Sequence, residues 1–158
     1  MIRKKILLLG DFAVGKTSLI KRYVDGTFDD VYLTTIGVKI SKKTVTFHGV
    51  ECELLIWDVE GSTPSKSISL KYYRGASGAI FVADVTRKKT IENLQEHKNI
   101  FLAENPDAHY VTAYNKADML GELDKKRVAS KEDVYLTSAK ENENVEKLFI
   151  ELVRKMTS

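Results

Sequence analysis

Ile6-Leu7-Leu8-Leu9-Gly10-Asp11-Phe12-Ala13-Val14-Gly15-Lys16-Thr17 decides how the whole chain is read. A short apolar run ends at a glycine. After four intervening residues a second glycine stands before lysine and threonine, and an amphipathic stretch from Lys16 to Val24 follows. Strand, glycine-bounded turn and helix in that order predict a phosphate-binding loop, because glycines let consecutive N–H groups converge on phosphate oxygens. The helix adds its N-terminal dipole. The candidate phosphate-contacting residues are therefore Asp11, Phe12, Ala13, Val14, Gly15, Lys16, Thr17 and Ser18. Lys16 supplies charge to the outer phosphates, and the Thr17 hydroxyl is placed to ligate magnesium.

Outward from this loop, short apolar runs alternate with helical patterns, which predicts an α/β fold. Ala79 to Val82, Tyr110 to Tyr114 and Val134 to Leu136 read as strands, Thr90 to Leu102 as a helix. Val145, Leu148, Phe149 and Leu152 recur at helical spacing in the last segment. Val38 to Phe47 and Val50 to Trp57, separated by His48-Gly49, predict a hairpin, so one edge strand runs antiparallel. Between Met119 and Asp133 the pattern is weak, and a loop with at most a short helix is expected.

The 158 residues, 43% hydrophobic, suffice for one core, and a single domain spanning 1–158 is expected. Basic residues number 25 against 22 acidic ones; a net charge of +3, thinly scattered, does not suggest a nucleic-acid partner. The lone cysteine, Cys52, forms no internal disulfide and fits a reducing, cytoplasmic setting. Ile6 to Leu9 is far too short for a signal core or membrane span. With Ile2 second and Lys155-Met156-Thr157-Ser158 last, no lipid-anchor motif is encoded, and no direct membrane anchor is expected.

Two further constellations sharpen the chemistry. Leu54-Leu55-Ile56-Trp57-Asp58 ends a buried-looking strand on an acid, with Gly61 close behind; Asp58 reads as a second magnesium anchor, and the Gly61 N–H as a donor to the terminal phosphate. Asn115-Lys116-Ala117-Asp118 follows another strand. Guanine presents N1–H and an exocyclic amine side by side, and one carboxylate accepting both, here Asp118, selects it over adenine. Asn115 is placed to tie this box to neighbouring loops while the Lys116 stem lies on the ring face. Thr137-Ser138-Ala139-Lys140 follows the last strand, where the Ala139 N–H can meet the guanine oxygen, and Ser138 and Lys140 flank it.

With these residues in place, the chain resembles the Ras superfamily, and within it the Rab branch, over nearly its whole length. Thr34-Thr35-Ile36-Gly37-Val38, Trp57-Asp58, Lys71-Tyr72-Tyr73-Arg74-Gly75 and Asp84-Val85-Thr86 are similar to that branch in identity and order. The resemblance implies a P-loop NTPase fold: a six-stranded, mostly parallel sheet with helices on both faces. It implies GTP/GDP and magnesium as ligands. It also implies that Phe28 packs against the base, that Tyr32 covers the phosphates, and that Thr35 joins Thr17 and Asp58 on the metal only with γ-phosphate present. Lys16, Thr35 and Gly61 are then the candidate catalytic residues. Effectors, exchange factors and activating proteins would read residues 29–37 and 59–76 on a monomer whose two segments are ordered by γ-phosphate.

The sequence departs from that branch at three places. Ser62 replaces the glutamine that orients the attacking water, and Val59-Glu60 replaces the usual Thr-Ala. Serine is too short for the glutamine's task; Glu60 is the polar substitute at hand, though its charge would face phosphate oxygens. Phe12 stands where relatives carry a small residue beside the γ-phosphate, and its ring either obstructs an arginine finger or turns outward onto a loop. Finally, the interval from Asp118 to Ser138 is short. A slow GTPase switch is the leading expectation, with a GTP-binding interaction module of little hydrolysis as the alternative. A P-loop kinase acting on a metabolite leaves the guanine box unexplained.

Overall fold

The computed structural model describes residues 2–24, 31–33, 38–59, 70–129 and 133–158. Seven strands form one sheet in the order β2-β3-β4-β1-β5-β6-β7: β1 (Ile2–Leu9), β2 (Val31–Leu33), β3 (Lys39–Phe47), β4 (Val50–Asp58), β5 (Gly78–Asp84), β6 (His109–Asn115) and β7 (Val134–Leu136). The six expected strands are all present, and the three-residue β2 adds a seventh outside them. β1, β4, β5, β6 and β7 are mutually parallel; β3 pairs antiparallel with β4, and β2 antiparallel with β3. The strand expected at the edge is thus covered by β2. His48 and Gly49, both at positive φ (50° and 78°), close the β3–β4 hairpin in the sense that matches strand twist.

Ile6, Leu7, Leu8 and Leu9 are all fully buried, and all seven residues of β5 are buried, because helices cover both faces of these central strands. Alternate side chains go opposite ways. Ile6, Leu8, Ile80, Val82 and Val111 pack with Leu19, Ile20 and Tyr23 of α1 (Lys16–Val24) and Leu148, Phe149 and Leu152 of α5 (Val145–Thr157). Leu7, Leu9, Ala79, Phe81 and Ala83 face Leu94 and Phe101 of α3 (Leu94–Glu104) on the other side. Cys52 is buried in the first of these layers, and burial pushes its thiol pKa up, which makes it core filler.

The expected helix from Thr90 to Leu102 is instead two, α2 (Lys88–Glu92) and α3, meeting at Asn93. Asn93 stays in the right-handed helical region (φ −72°, ψ −13°), so no break shows in the hydrophobic pattern, while its side-chain amide donates to Asp11 at 2.6 Å. Between Met119 and Asp133 the short helix is α4 (Glu122–Ala129), eight residues long. Among the described residues no helix is long and apolar enough to cross a membrane.

β1 lies between β4 and β5, so the chain leaves it in opposite directions on its two sides, and a crevice opens at the carboxyl ends of the strands. Register brings those ends level: Leu8 is opposite Asp58, Leu9 opposite Phe81, Asp84 opposite Asn115. The phosphate loop, Asp58 and the 115–118 and 137–140 segments therefore all start from one rim of the sheet. The rim's stiffness depends on the helices behind it, where Phe149 stacks on Tyr23 at 4.0 Å between centroids. Phe149→Ala should cost about 3–5 kcal/mol in urea unfolding at fixed nucleotide concentration; a loss below about 1 kcal/mol would mean that α5 is not docked through this ring.

Candidate functional site

The loop from Gly10 to Gly15 has each of its carbonyls engaged. Lys16 Nζ donates to the carbonyls of Gly10 (2.8 Å) and Asp11 (3.0 Å). Arg87 Nη2 donates to the Phe12 carbonyl (2.6 Å), Lys116 Nζ to that of Ala13 (3.1 Å) and Asn115 Nδ2 to that of Val14 (3.0 Å). The Gly15 carbonyl accepts from Leu19 N–H in the first turn of α1 (2.9 Å). A trans peptide holds its C=O and N–H antiparallel, so each carbonyl fixed from the β5–β6 side sends the next N–H to the opposite side. Arg87, Lys116 and Asn115 in this way aim the N–H groups of Ala13, Val14 and Gly15.

The turn needs unusual backbone. Ala13 has φ 62° and Gly15 φ 104°. A Cβ on Gly15 would lie 2.2 Å from Asn115 Nδ2, and one on Gly10 2.2 Å from the Val82 carbonyl oxygen. Glycine is required at both ends because strand and base box pass within contact of the main chain. A cavity of about 350 Å³ lies over the loop, lined by Phe12, Ala13, Gly15, Lys16, Thr17, Ser18 and Lys116. A second of about 390 Å³, sharing Ser18, is lined by Lys21, Arg22, Ala139 and Lys140. Phe12 is 62% exposed, and its ring stands at the rim of the first cavity. A roomier hollow of about 480 Å³, bordered by Lys125, Tyr135 and Lys147, contains none of these loops and none of their convergent donors.

Thr17 Oγ1 donates to Asp58 Oδ2 at 2.6 Å, joining the start of α1 to the end of β4. A hydroxyl beside a buried carboxylate is a pair of hard oxygens suited to magnesium, which takes few protein ligands and completes its octahedron with phosphate and water. The donor set fits the ion. Among the described residues no group of three or more His, Cys, Asp or Glu side chains is placed to hold a metal, and this kind of site needs none.

At the base end, Asn115 is buried and accepts from the Thr137 hydroxyl (3.1 Å) while bonding Val14. Lys116 is held in the left-handed region (φ 65°). Asp118 Oδ1 accepts from the Ser138 hydroxyl (2.7 Å), and Ser138 Oγ accepts from Glu141 N–H (3.0 Å). Arg22 bonds the carbonyls of Ala139 (2.9 Å) and Lys140 (3.1 Å), which turns that corner towards α1. The structure thus brings the phosphate loop, Asp58, the 115–118 box and the 138–140 corner together. Tyr32 is described only through its backbone pairing with Ile40, and Phe28, Thr35, Glu60, Gly61 and Ser62 lie outside the described residues.

Several contributors carry no local sequence signal. Asp11 was expected in the phosphate loop, but its carboxylate does not line the cavity and instead accepts from Asn93 and lies 3.0 Å from His97 Nε2 on α3, contacts that residue order does not show. Arg22 acts on residues more than a hundred positions away. Asp84, 2% exposed at its side chain, accepts from Lys116 Nζ (2.8 Å) and from the N–H (2.9 Å) and hydroxyl (2.6 Å) of Thr86, and pairs with Arg87 Nε at 3.4 Å. Burial alone would raise its pKa; the bonds from Lys116 and Thr86 outweigh that and bring it below the usual carboxylate value. Its contribution to stability is therefore complete above about pH 4 and is lost as pH falls through the lower folded value.

The sequence model of the Ras family matches residues 5–158. The chain is 38% identical over 160 residues to the Ras-related protein Rab-10 of Diplobatis ommata, covering 94% of this chain and 78% of that relative. It is 36% identical to the Ras-related protein Rab-13 of Canis lupus familiaris, covering 95% and 78%. To the Ras-related protein SEC4 of Saccharomyces cerevisiae it is also 36% identical, covering 95% and 73%. The chain belongs to the Ras family and is a Rab-like small GTPase.

The glycine argument has a direct check. Gly15→Ala should destabilise the fold by about 1–3 kcal/mol, from positive φ and the clash with Asn115, and should lower retention of bound nucleotide through purification. Gly121→Ala, with open space around its Cβ, should change neither. Equal behaviour of the two variants would contradict the close approach of Asn115 to the loop.

Proposed function

We propose that this chain is a guanine-nucleotide switch that binds GTP and GDP with magnesium and hydrolyses GTP slowly. One observation carries the reading: the Ala13 and Val14 carbonyls of the phosphate loop are fixed by the same 115–116 segment whose next acid, Asp118, is poised at the base corner. One short segment would then grip the phosphates through the loop and choose the base. Asp118 would accept from guanine N1–H and its amine, oriented by Ser138; Ala139 would offer its N–H to the guanine oxygen. Ser18 and Lys140 would border the nucleotide, and Lys116 would lie along the base. Phe28 and Tyr32 would enclose base and phosphates.

Thr17 and Asp58 would hold magnesium, joined by Thr35 in the GTP state, and the ion would neutralise charge on the phosphates. Lys16 and the Gly61 N–H would address the γ-phosphate. Residues 29–37 and 59–76 would differ between the GTP and GDP forms, and regulators and effectors would read that difference.

Slow hydrolysis follows from Ser62. A glutamine side chain reaches the attacking water; a serine in that place does not, and Glu60 would bring negative charge towards phosphate oxygens. Phe12 at the rim of the loop favours the second reading, an interaction module with hardly any turnover, because an arginine finger entering beside the γ-phosphate would meet its ring. A slow switch and a non-hydrolysing module differ only in this rate.

Two measurements decide. The purified protein should carry GDP or GTP, and competition binding should favour GDP over ADP by roughly a hundredfold or more, since a carboxylate covered by the base and mispaired with adenine is costly. Asp118→Asn should move preference towards xanthine nucleotides, whereas equal affinity for ADP would remove the base assignment. Single-turnover hydrolysis should run on the order of 10⁻⁴ s⁻¹ or below without an activator. Ser62→Gln combined with Phe12→Gly should accelerate it more than the two single changes together, with a coupling on the order of 0.5–3 kcal/mol. Fast hydrolysis by the unaltered chain would overturn the slow-switch reading.

A further inference from the structure

Arg87 sits at the start of α2, on the connection that leaves β5, and no phosphate-loop or base motif includes it. Its guanidinium is used twice. Nη2 donates to the Phe12 carbonyl at 2.6 Å, and Nε pairs with the buried Asp84 carboxylate at 3.4 Å. Asp84 holds Lys116 as well, at 2.8 Å, and Lys116 takes the next carbonyl, that of Ala13. One buried carboxylate therefore steers two cations onto two consecutive carbonyls of the loop.

Placement of Asp84 is secured from several sides. Thr86 donates to it twice, and the Asp84 N–H donates to the buried Thr90 hydroxyl at 2.9 Å, which ties the end of β5 to α2. Arg87 is 43% exposed at its side chain, so its charge is partly solvated, but the groups that it joins are held on a rigid strand end. A guanidinium spans both with one planar group, which an ammonium at the same distance does less well.

We propose that Arg87 is a positioning residue for nucleotide binding: anchored by Asp84, it fixes the Phe12–Ala13 peptide so that the Ala13 N–H points at the phosphate chain. The inference rests on the reading of the loop as a guanine-nucleotide site. Its physical basis is peptide planarity, since the Phe12 carbonyl and the Ala13 N–H belong to one plane and point opposite ways. With the guanidinium in place, this peptide is already turned for the anion. Without it, the peptide is free to rotate about the flanking φ and ψ angles, and binding must order it each time.

Arg87 acts through Ala13, so the test reads that single amide. In the ¹⁵N–¹H spectrum of the full chain, titration with GDP and magnesium should move the Ala13 amide proton strongly downfield, as for an N–H that gains a charged acceptor. In Arg87→Ala the shift at Ala13 should shrink markedly. That at Gly15, whose N–H is aimed by Asn115, should persist. Release of labelled GDP should quicken by roughly 3–30-fold, the scale of losing one charge-assisted hydrogen bond, and Arg87→Lys should restore part of the loss.

An unchanged Ala13 shift in Arg87→Ala, with unchanged GDP release, overturns the proposal whatever happens to hydrolysis. So does an equal loss of shift at Ala13 and Gly15, which would mean general loosening of the site. If Arg87→Ala does not fold, Asp84→Asn, which loosens both Arg87 and Lys116, should reduce the shifts at Ala13 and Val14 more weakly and spare that at Gly15, and an unchanged Ala13 shift there counts equally against the role. Absence of GDP binding by the unaltered chain would instead overturn the guanine-nucleotide reading, and this inference with it.

Discussion

The site depends on outward anchoring of the phosphate-loop carbonyls. A loop that presents several N–H groups to one concave face has to turn as many carbonyls the other way, and carbonyls without partners would cost more than the turn itself stabilises. Here each carbonyl from Gly10 to Gly15 has a partner: Lys16 for two, Arg87, Lys116 and Asn115 for one each, and the first turn of α1 for the last. All but the helix contact come from side chains, so the loop's shape is written in Lys16 at the start of α1, Arg87 just before α2, and Asn115 and Lys116 at and just after the end of β6. The outward turn of the carbonyls is thereby set by the protein's own side chains.

Those side chains can reach the loop because the sheet brings the carboxyl ends of β1, β5 and β6 level. Asp84 and Asn115 are direct partners across β5 and β6, which places a buried carboxylate and a buried amide side by side behind the loop. A lone buried carboxylate would be strongly disfavoured; Asp84 is stable as a charge because Lys116, Arg87 and Thr86 surround it. The base box and the phosphate loop then share one support. A disturbance at either is felt by the other, which is the physical requirement for a protein that has to sense a phosphate and hold a base together.

Much of this was legible from residue order. The run Ile6 to Leu9 followed by Gly10 to Thr17 announced strand, loop and helix, and residues 115–118 raised the expectation of a guanine box, since Asp118 suits paired donors. The hairpin at His48-Gly49 followed from local turn preference. What could not be read were contacts made across the sheet. Arg87 and Asp84 look like ordinary polar residues after a strand, and their role appears only when β5 lies beside β6. Asn93 splits a helix without any break in hydrophobic period, because its backbone remains helical while its side chain reaches Asp11. The short β2 escaped notice since three residues leave too little alternation to register. Phe12 admitted two placements in the sequence, and its exposure at the loop's rim follows from a turn in which Ala13, at φ 62°, redirects the chain.

The most direct test of the account is a high-resolution crystal structure of the chain with GDP and magnesium. The account predicts that the peptides from Phe12 to Gly15 keep the orientation described above. Their carbonyls should remain on Arg87, Lys116 and Asn115, and the N–H groups of Ala13, Val14 and Gly15 should lie within about 2.7–3.2 Å of phosphate oxygens. A flipped peptide in that stretch, or a nucleotide bound elsewhere with the three anchors broken, would contradict it.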